Sequence, residues 1–183
     1  MTFSLLIPIL ILLTWVIWAY NSLVKARNQV SEAWAGIDVQ LQRRYDLVPN
    51  LVTTVKGYMK HESSVLERVT RLRSQPEMKT QERASEESGL SRSIGRLFAL
   101  AEDYPDLKAS DGFQQLHQSL VEIEDQLQFA RRYYNGSVRD NNNRVEGFPT
   151  MIIAKSFGFA STAFFEIELA SQRSAPVIVI DSE

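Results

Sequence analysis

Acidic side chains cluster in one stretch of this chain, where carboxylates could hold a metal ion or exchange protons. Glu122 and Asp125 would share one face of a helix, whereas Glu124 would point elsewhere. A di-metal site in a helical bundle needs inward-facing Glu-x-x-His pairs, and the sequence contains none. The two histidines, His61 and His117, lie far apart, each without a second ligand at metal-binding spacing. The sequence therefore predicts no metal site and no cofactor.

The common motifs of phosphate binding and nucleophilic catalysis are also missing from the sequence. It has no Gly-x-Gly-x-x-Gly, no Gly-Lys-Ser/Thr and no Gly-x-Ser-x-Gly. The formal net charge is −2, which gives no overall attraction to nucleic acid. We therefore expect a protein that is not an enzyme and has no nucleic-acid partner.

The N-terminus instead predicts a membrane span. No charged side chain occurs from Met1 to Val24, and this stretch contains the apolar run FSLLIPILILLTWVIWAY at Phe3–Tyr20. Roughly 20 helical residues cross a ~30 Å hydrocarbon core. A cleaved signal peptide would have a shorter apolar core, a basic residue before it and small residues at a cleavage site. The predicted span includes Phe3, Leu10, Trp15, Trp18 and Tyr20, with the last three rings near one headgroup boundary.

The charges that flank the span predict its orientation. Lys25 and Arg27 follow the span, and no Lys or Arg precedes it. The positive-inside bias then places the soluble part in the cytoplasm and the N-terminus outside. The lack of cysteine fits a reducing compartment, and it also fits a periplasmic protein without disulfides.

The rest of the chain has helical periodicity. From Leu23 to Tyr45 apolar residues recur every three or four positions, and nothing separates this stripe from the span. Near Asp46 and Pro49 we expect a reversal, with Asp46 capping a second helix; the alternative is one continuous helix kinked at Pro49. The second helix is predicted to end before Pro76, and a solvated loop that could hold helical turns is predicted over 75–89. A third helix is predicted over 90–101, ended by Tyr104-Pro105. A fourth is predicted to begin at Ser110 or Asp111, to fray at 141–143 and to stop near 147–149, and residues 176–180 are predicted to be a lone β-prone stretch or a mobile tail.

This pattern predicts an all-α protein. Its N-terminal transmembrane helix (1–24) continues into an antiparallel, up-down-up-down four-helix bundle (25–149). A short hydrophobic C-terminal segment with a tail follows (150–183).

Three groups of residues are candidate surfaces. One turn near Pro49 is a candidate partner contact at the membrane-distal tip, or else simply a capped helix junction. A basic and aromatic group on the later half of the fourth helix could lie near lipid headgroups, or form a solvated face with Tyr134 in the core. The Phe-rich segment 151–165 either caps the bundle or forms a membrane-facing or assembly surface. These candidates are Arg43, Arg44, Tyr45, Asp46 and Asn50 in the first group, Arg131, Arg132 and Tyr133 in the second, and Phe157, Phe159, Phe164 and Phe165 in the third.

Several stretches resemble a known family. The sequence YNSLVKARNQVSEAWAGIDVQLQRRYDLVPNLVTTVKGYMKHE at Tyr20–Glu62 is similar to the signature of the bacterial LemA family. The resemblance continues in GRLFALAEDYPDLKA at Gly95–Ala109, RRYYNGSVRDNNNRVEGFP at Arg131–Pro149, and IIAKSFGF at Ile152–Phe159. It implies one N-terminal transmembrane helix, an outside N-terminus, an antiparallel helical bundle and no accepted enzymatic activity. Some members of the family are associated with membrane remodelling, including magnetosome formation, and others with membrane proteases.

We therefore expect a single-pass protein of the bacterial inner membrane. Its expected role is a non-catalytic scaffold that self-associates and organises or remodels the membrane or its proteins. The expected partners are the lipid bilayer, further copies of the chain and, as an open alternative, another membrane protein. In that alternative the chain is an accessory or regulatory subunit of a membrane protease or envelope-stress system.

Overall fold

The computed structural model describes residues 2–58 and 80–165, and every regular element in those ranges is a helix. The predicted continuation of the second helix over 59–72 and the β-prone stretch 176–180 lie outside the described residues. The helices are α1 (Thr2–Lys56), α2 (Thr80–Ala101), α3 (Pro105–Lys108), α4 (Asp111–Glu146) and α5 (Thr150–Ser156).

Helix α1 is both the apolar N-terminal segment and the longest element of the soluble part. Its 55 residues give a length of about 80 Å. The apolar window within it has a mean hydropathy of 1.9 and is only 11% buried inside the chain, unlike the core helix of a soluble protein. The helix passes Asn21 and Ser22 without a break, as the sequence predicts.

The expected reversal near Asp46 and Pro49 is wrong, because α1 continues through both residues to Lys56. A proline inside a helix costs about 3 kcal/mol. On either side of the proline, three side chains of α1 are almost completely buried, and each full burial contributes about 1.5–3 kcal/mol. Burial therefore outweighs the missing backbone hydrogen bond. The three side chains are Val48, Leu51 and Val55.

Helix α4 runs antiparallel to α1 along most of its length. It begins where the sequence predicts, because the Ser110 hydroxyl caps it by accepting a hydrogen bond from the Phe113 amide (3.4 Å). It ends at Glu146, close to the predicted stop. The predicted fraying over 141–143 is wrong, because α4 stays helical there and Asn141 is 2% exposed.

Helix α2 packs beside the distal part of α1 and runs parallel to it. Leu90, Ile94 and Leu97 pack in one core with Val48 to Val55 of α1. The expected solvated loop is wrong for Thr80–Gly89, which belongs to α2. Glu87 within that stretch is 1% exposed. As predicted, the helix ends before Tyr104, the N-cap of α3.

Among the residues that the structure describes, the core forms three sections along α1. The distal section joins α1, α2, α3 and the start of α4. The middle section joins α1 to the later part of α4 around Ile37, Leu41 and Leu127. The third lies where α5 packs on α1. We call the soluble helical body formed by α2, α4 and α1 beyond Tyr20 the stem.

Candidate functional site at the base of the stem

The base of the stem is the place where α4 returns to α1 at the end of the apolar run. Arg144 of α4 donates hydrogen bonds to the carbonyl oxygen of Ser22 (3.3 Å) and to its hydroxyl. The chain then turns at Gly147, whose position leaves no space for a side chain: a Cβ there would lie 2.5 Å from the Asn143 carbonyl oxygen. We use "base" for residues 144–159 together with 15–23 of α1.

Helix α5 lies against the last apolar turns of α1. Ile153 and Ala154 are buried against Ala19 and Leu23. Trp15 and Val16 pack partly on the same cluster. The short helix therefore covers one side of α1 at the level where the span ends.

Aromatic rings surround Tyr20 at this level. The ring of Tyr20 meets Phe157 edge-on with centroids 5.0 Å apart, and Phe159 at 5.7 Å. The guanidinium of Arg27 lies 5.4 Å from the centroid of Phe159. Contacts of this kind each contribute about 0.5–1.5 kcal/mol. They join the end of the span to the chain that follows α5.

The outer surface of the base is apolar. Phe148 is 81% exposed, Phe157 59% and Ile152 53%. On α1, Trp18 is 63% exposed at a neighbouring level. Exposed aromatic and branched side chains at adjacent positions are unusual for a surface that faces water.

Beyond the base, residues 160–165 run back along α4; we call them the terminal segment. Gly158 lies shortly before the segment and has φ +72°, a left-handed conformation that favours glycine. Asn142 and Asn135 then bind its backbone through their side-chain amides, at Thr162 and Phe165 respectively. The Tyr134 hydroxyl donates to the Ala163 carbonyl oxygen (3.1 Å).

Phe165, the last residue that the structure describes, lies in the middle core section. Phe165 is 3% exposed, and its ring lies 6.0 Å from that of Trp34. The guanidinium of Arg131 lies over the ring of Phe165, 5.3 Å from its centroid. Of the predicted surface of four phenylalanines, Phe157 and Phe159 lie at the base, Phe164 is partly exposed and Phe165 is core. The prediction of Phe165 as a surface residue is therefore wrong.

A buried group of charges separates the distal and middle core sections. Arg44 of α1 lies 3.5 Å from Glu87 of α2 and 3.2 Å from Glu124 of α4. Arg44 also donates to the Ser91 hydroxyl (2.6 Å). The hydroxyl of Tyr45 donates to Glu87. Three helices therefore meet through one arginine.

Arg131 is the second cation of this group, 3.6 Å from Glu124. Burial lowers the pKa of the Arg131 guanidinium, and Glu124 opposes that effect. Within the described residues, its Nε has no hydrogen-bond partner. Arg131 is thus a cation held in the stem interior by a nearby carboxylate and an aromatic ring.

The predicted position of Arg131 near lipid headgroups is wrong. The rings of Trp34 and Tyr134 meet edge-on with centroids 5.4 Å apart, which gives the antiparallel register of α1 and α4. Arg131 therefore lies roughly 25 Å along α1 from Tyr20. Its neighbours Arg132 and Tyr133 are exposed at the same height, with Arg132 4.6 Å from the centroid of Phe129.

The residues of the predicted contact group near Pro49 lie on different faces of α1. Arg44 is buried and Tyr45 half-buried, whereas Arg43, Asp46 and Asn50 are exposed. Asp46 caps no helix and instead accepts a hydrogen bond from Gln42 (3.0 Å). Because α1 continues to Lys56, the group lies below the distal tip. Arg43 and Asp46 line a shallow cleft between α1 and α4, about 380 Å³ in volume, with Glu122 on its other side.

The two asparagines and Glu87 were missed from the sequence, whereas Glu124 was expected to point away from Glu122 and Asp125 and binds Arg44 and Arg131. Asn135 and Asn142 are seven residues apart, so they lie on one face of α4. That spacing, with a segment rich in small residues after Gly158, is the signal that could have indicated them. Glu87 gave no such signal, because it belongs to a stretch of mostly polar residues.

Comparison with known proteins gives a consistent result. The sequence model of the LemA family matches residues 33–179 of this chain. Magnetosome protein MamQ 2 of Paramagnetospirillum magneticum is 23% identical over 175 residues, covering 80% of this chain and 64% of that protein. Magnetosome protein MamQ of Magnetospirillum gryphiswaldense is 22% identical, covering 84% and 66%. Protein LemA of Metamycoplasma hominis is 26% identical over 149 residues, covering 80% and 68%.

The chain spans about two thirds or less of the length of the MamQ proteins. The family match covers most of the chain and includes α1 from Ala33 onwards, α2 to α5 and the terminal segment. The chain belongs to the LemA family.

Proposed function

We propose that the protein is a non-catalytic, membrane-anchored scaffold that associates with further copies of itself and organises the bacterial inner membrane or its proteins. The observation that carries the proposal is the continuity of α1, which is both the apolar segment and the spine of the stem. A helix without a break transmits its orientation from the membrane to the distal end. The similarity to magnetosome proteins supports a structural role of this kind.

The direction of α2 supports the up-down-up-down bundle within this proposal. Helix α2 is parallel to α1, and α4 is antiparallel to both. These are the directions of the first, third and fourth helices in an up-down-up-down bundle.

The outer face of α4 is the proposed contact between copies. Phe129 is 60% exposed, Tyr133 52% and Val121 48%, and Arg132 lies against Phe129. Apolar rings next to a guanidinium are typical of protein interfaces. In native membranes, Tyr133→Cys should give a dimer with a short bismaleimide crosslinker. Asn28→Cys, exposed on α1 and not on α4, is the control and should not.

We propose that the stem is cytoplasmic and the N-terminus outside. Lys25 and Arg27 immediately follow the apolar run. The fold adds Arg144 and Lys155 at the same end of the stem, where an anionic leaflet would attract them. A cysteine at the exposed Asn28 should resist an impermeant maleimide in intact cells and react after lysis. Labelling in intact cells would reverse the orientation.

Crosslinking in native membranes, followed by mass spectrometry, tests the scaffold itself. Crosslinks between copies of the chain, without one abundant foreign protein, are the expected result. A single heterologous protein crosslinked in high yield would contradict the scaffold and favour the accessory subunit of a membrane protease or envelope-stress system.

A further inference from the structure

We propose that the base of the stem is a lipid-binding surface, in which Phe148, Ile152 and Phe157 enter the headgroup region of the bilayer that α1 crosses. The inference rests on the proposed membrane anchorage and adds a second, separate contact with lipid.

The depth of α5 follows from its contacts with α1. Helix α5 packs against Trp15, Val16, Ala19 and Leu23. At ~1.5 Å per residue, Trp15 lies about 7 Å below Tyr20, at the end of the apolar run. Amphipathic elements that lie in the membrane interface bury their apolar face by about 5–10 Å. The structure thus holds α5 at interfacial depth for as long as α1 spans the bilayer.

Three apolar side chains of the base are largely exposed. Ile153 and Ala154 on the inner face of α5 are buried, whereas Ile152 on the outer face is 53% exposed. Phe148 before the helix is 81% exposed and Phe157 after it is 59% exposed. The packing against α1 therefore uses only one side of α5 and leaves exposed the side that holds Ile152, Lys155 and Ser156, with Phe148 and Phe157 flanking the helix.

Continuity with the span identifies lipid as the occupant. Ile17 is 54% and Trp18 63% exposed on α1 at the level of α5. The ring of Phe157 touches Tyr20 directly. Any bilayer that covers the exposed face of the span up to Tyr20 therefore also reaches the base. A protein partner at this place would have to displace lipid from α1 as well.

The charges around the base suit a headgroup layer. Lys155 is exposed on α5, and Lys25 and Arg27 follow the span. Long basic side chains can extend to phosphate groups while their stems stay apolar. Glu146, beside the turn, accepts a hydrogen bond from Ser161 (2.6 Å), so this carboxylate is turned towards the terminal segment.

Spin-label depth measurements on the full chain in phospholipid vesicles test the proposal. The sequence has no cysteine, so each nitroxide reports one position. Labels at Phe148→Cys and Ile152→Cys are compared with Leu10→Cys in the span and with Arg139→Cys on the stem. All four sites are exposed, and circular dichroism verifies equal helical content. The readout is the ratio of collision rates with apolar oxygen and with a water-soluble nickel chelate.

We expect the base labels to give an oxygen-to-nickel ratio several-fold above that of Arg139→Cys and below that of Leu10→Cys. A ratio at the base equal to that at Arg139→Cys, with Leu10→Cys still in lipid, would overturn the lipid contact and leave the anchor intact. Low collision rates with both reagents at the base would mean that protein covers it, which also overturns the proposal. A water-exposed Leu10→Cys would overturn the membrane anchor itself and the lipid contact with it.

Discussion

Asn142 binds Thr162 through both of its side-chain groups. Its Oδ1 accepts from the Thr162 amide (2.8 Å), and its Nδ2 donates to the Thr162 carbonyl oxygen (2.9 Å). Asn135, two turns away, binds Phe165 in the same way at 2.8 and 3.1 Å. Seven helical residues rise about 10 Å, and three extended residues cover the same length, so the two spacings match. The side chains of α4 thereby bind the backbone N–H and C=O groups that a neighbouring strand would bind in a sheet.

Asn142→Ala should release the terminal segment from α4. Loss of two hydrogen bonds to a partly buried backbone costs about 1–2 kcal/mol. Hydrogen exchange at the Thr162 amide should therefore accelerate by about tenfold or more. Asn143→Ala is the control, because Asn143 is exposed on the next position of the same helix. Equal exchange in the two variants would contradict the role of Asn142.

Arg44→Met should strongly destabilise the stem. The substitution leaves Glu87 almost fully buried without its cation, and breaking a buried ion pair in this way costs about 3–5 kcal/mol. The exposed neighbour Arg43→Met should change the free energy of unfolding by less than about 0.5 kcal/mol. Thermal unfolding followed by circular dichroism compares the two.

Glu87→Gln should partly rescue Arg44→Met, because it removes the uncompensated carboxylate. The double variant should therefore unfold at a higher temperature than Arg44→Met alone. Additive losses in the two substitutions would mean that Arg44 and Glu87 do not act as a pair.

Pro49→Ala should stabilise the protein. In a continuous helix the alanine supplies the amide that proline lacks and removes a ring that crowds the preceding turn. The expected gain in the free energy of unfolding is about 1–3 kcal/mol, measured by denaturant titration in detergent. A loss of stability would favour the chain reversal that the sequence predicted at this position.

Leu127→Asp should unfold the middle core section. Leu127 is 0% exposed between α1 and α4, and an unpaired carboxylate there costs on the order of several kcal/mol. Phe129→Asp, two residues away and 60% exposed, is the matched control. Loss of helical circular dichroism is expected for the first variant alone.

The helices were predictable where the apolar stripe is regular. The span, the start of α4 at Ser110 and its stop at Glu146 follow from hydropathy, capping and Gly-Phe-Pro. The continuity of α1 through Pro49 did not follow, because Asp46 and Pro49 also fit a helix start. The stripe from Leu41 to Val55 keeps its spacing through the proline, and burial of those side chains decided the outcome.

The candidate site was less predictable because it depends on register. The sequence indicates that Phe157 and Phe159 need cover, but only the antiparallel register of α1 and α4 brings them to Tyr20. The same register places Arg131 inside the stem. The basic and aromatic residues around Arg131 had instead suggested a position near the lipid headgroups. The burial of Glu87 depends on tertiary packing against Arg44, which a polar local sequence does not reveal.

The central claim is that one helix leaves the membrane without a break and becomes the spine of the stem. Single cysteines along residues 10–50 of α1, in vesicles with the full chain, test it by their reaction rate with a water-soluble maleimide. We expect Leu10→Cys and Ile17→Cys to be protected by lipid. Beyond Tyr20, the rate should oscillate with a helical period, high at Asn28 and Asn50 and low at Ile37 and Leu41. Fast reaction at Leu10→Cys, or loss of the helical period between Tyr20 and Asn50, would contradict the account.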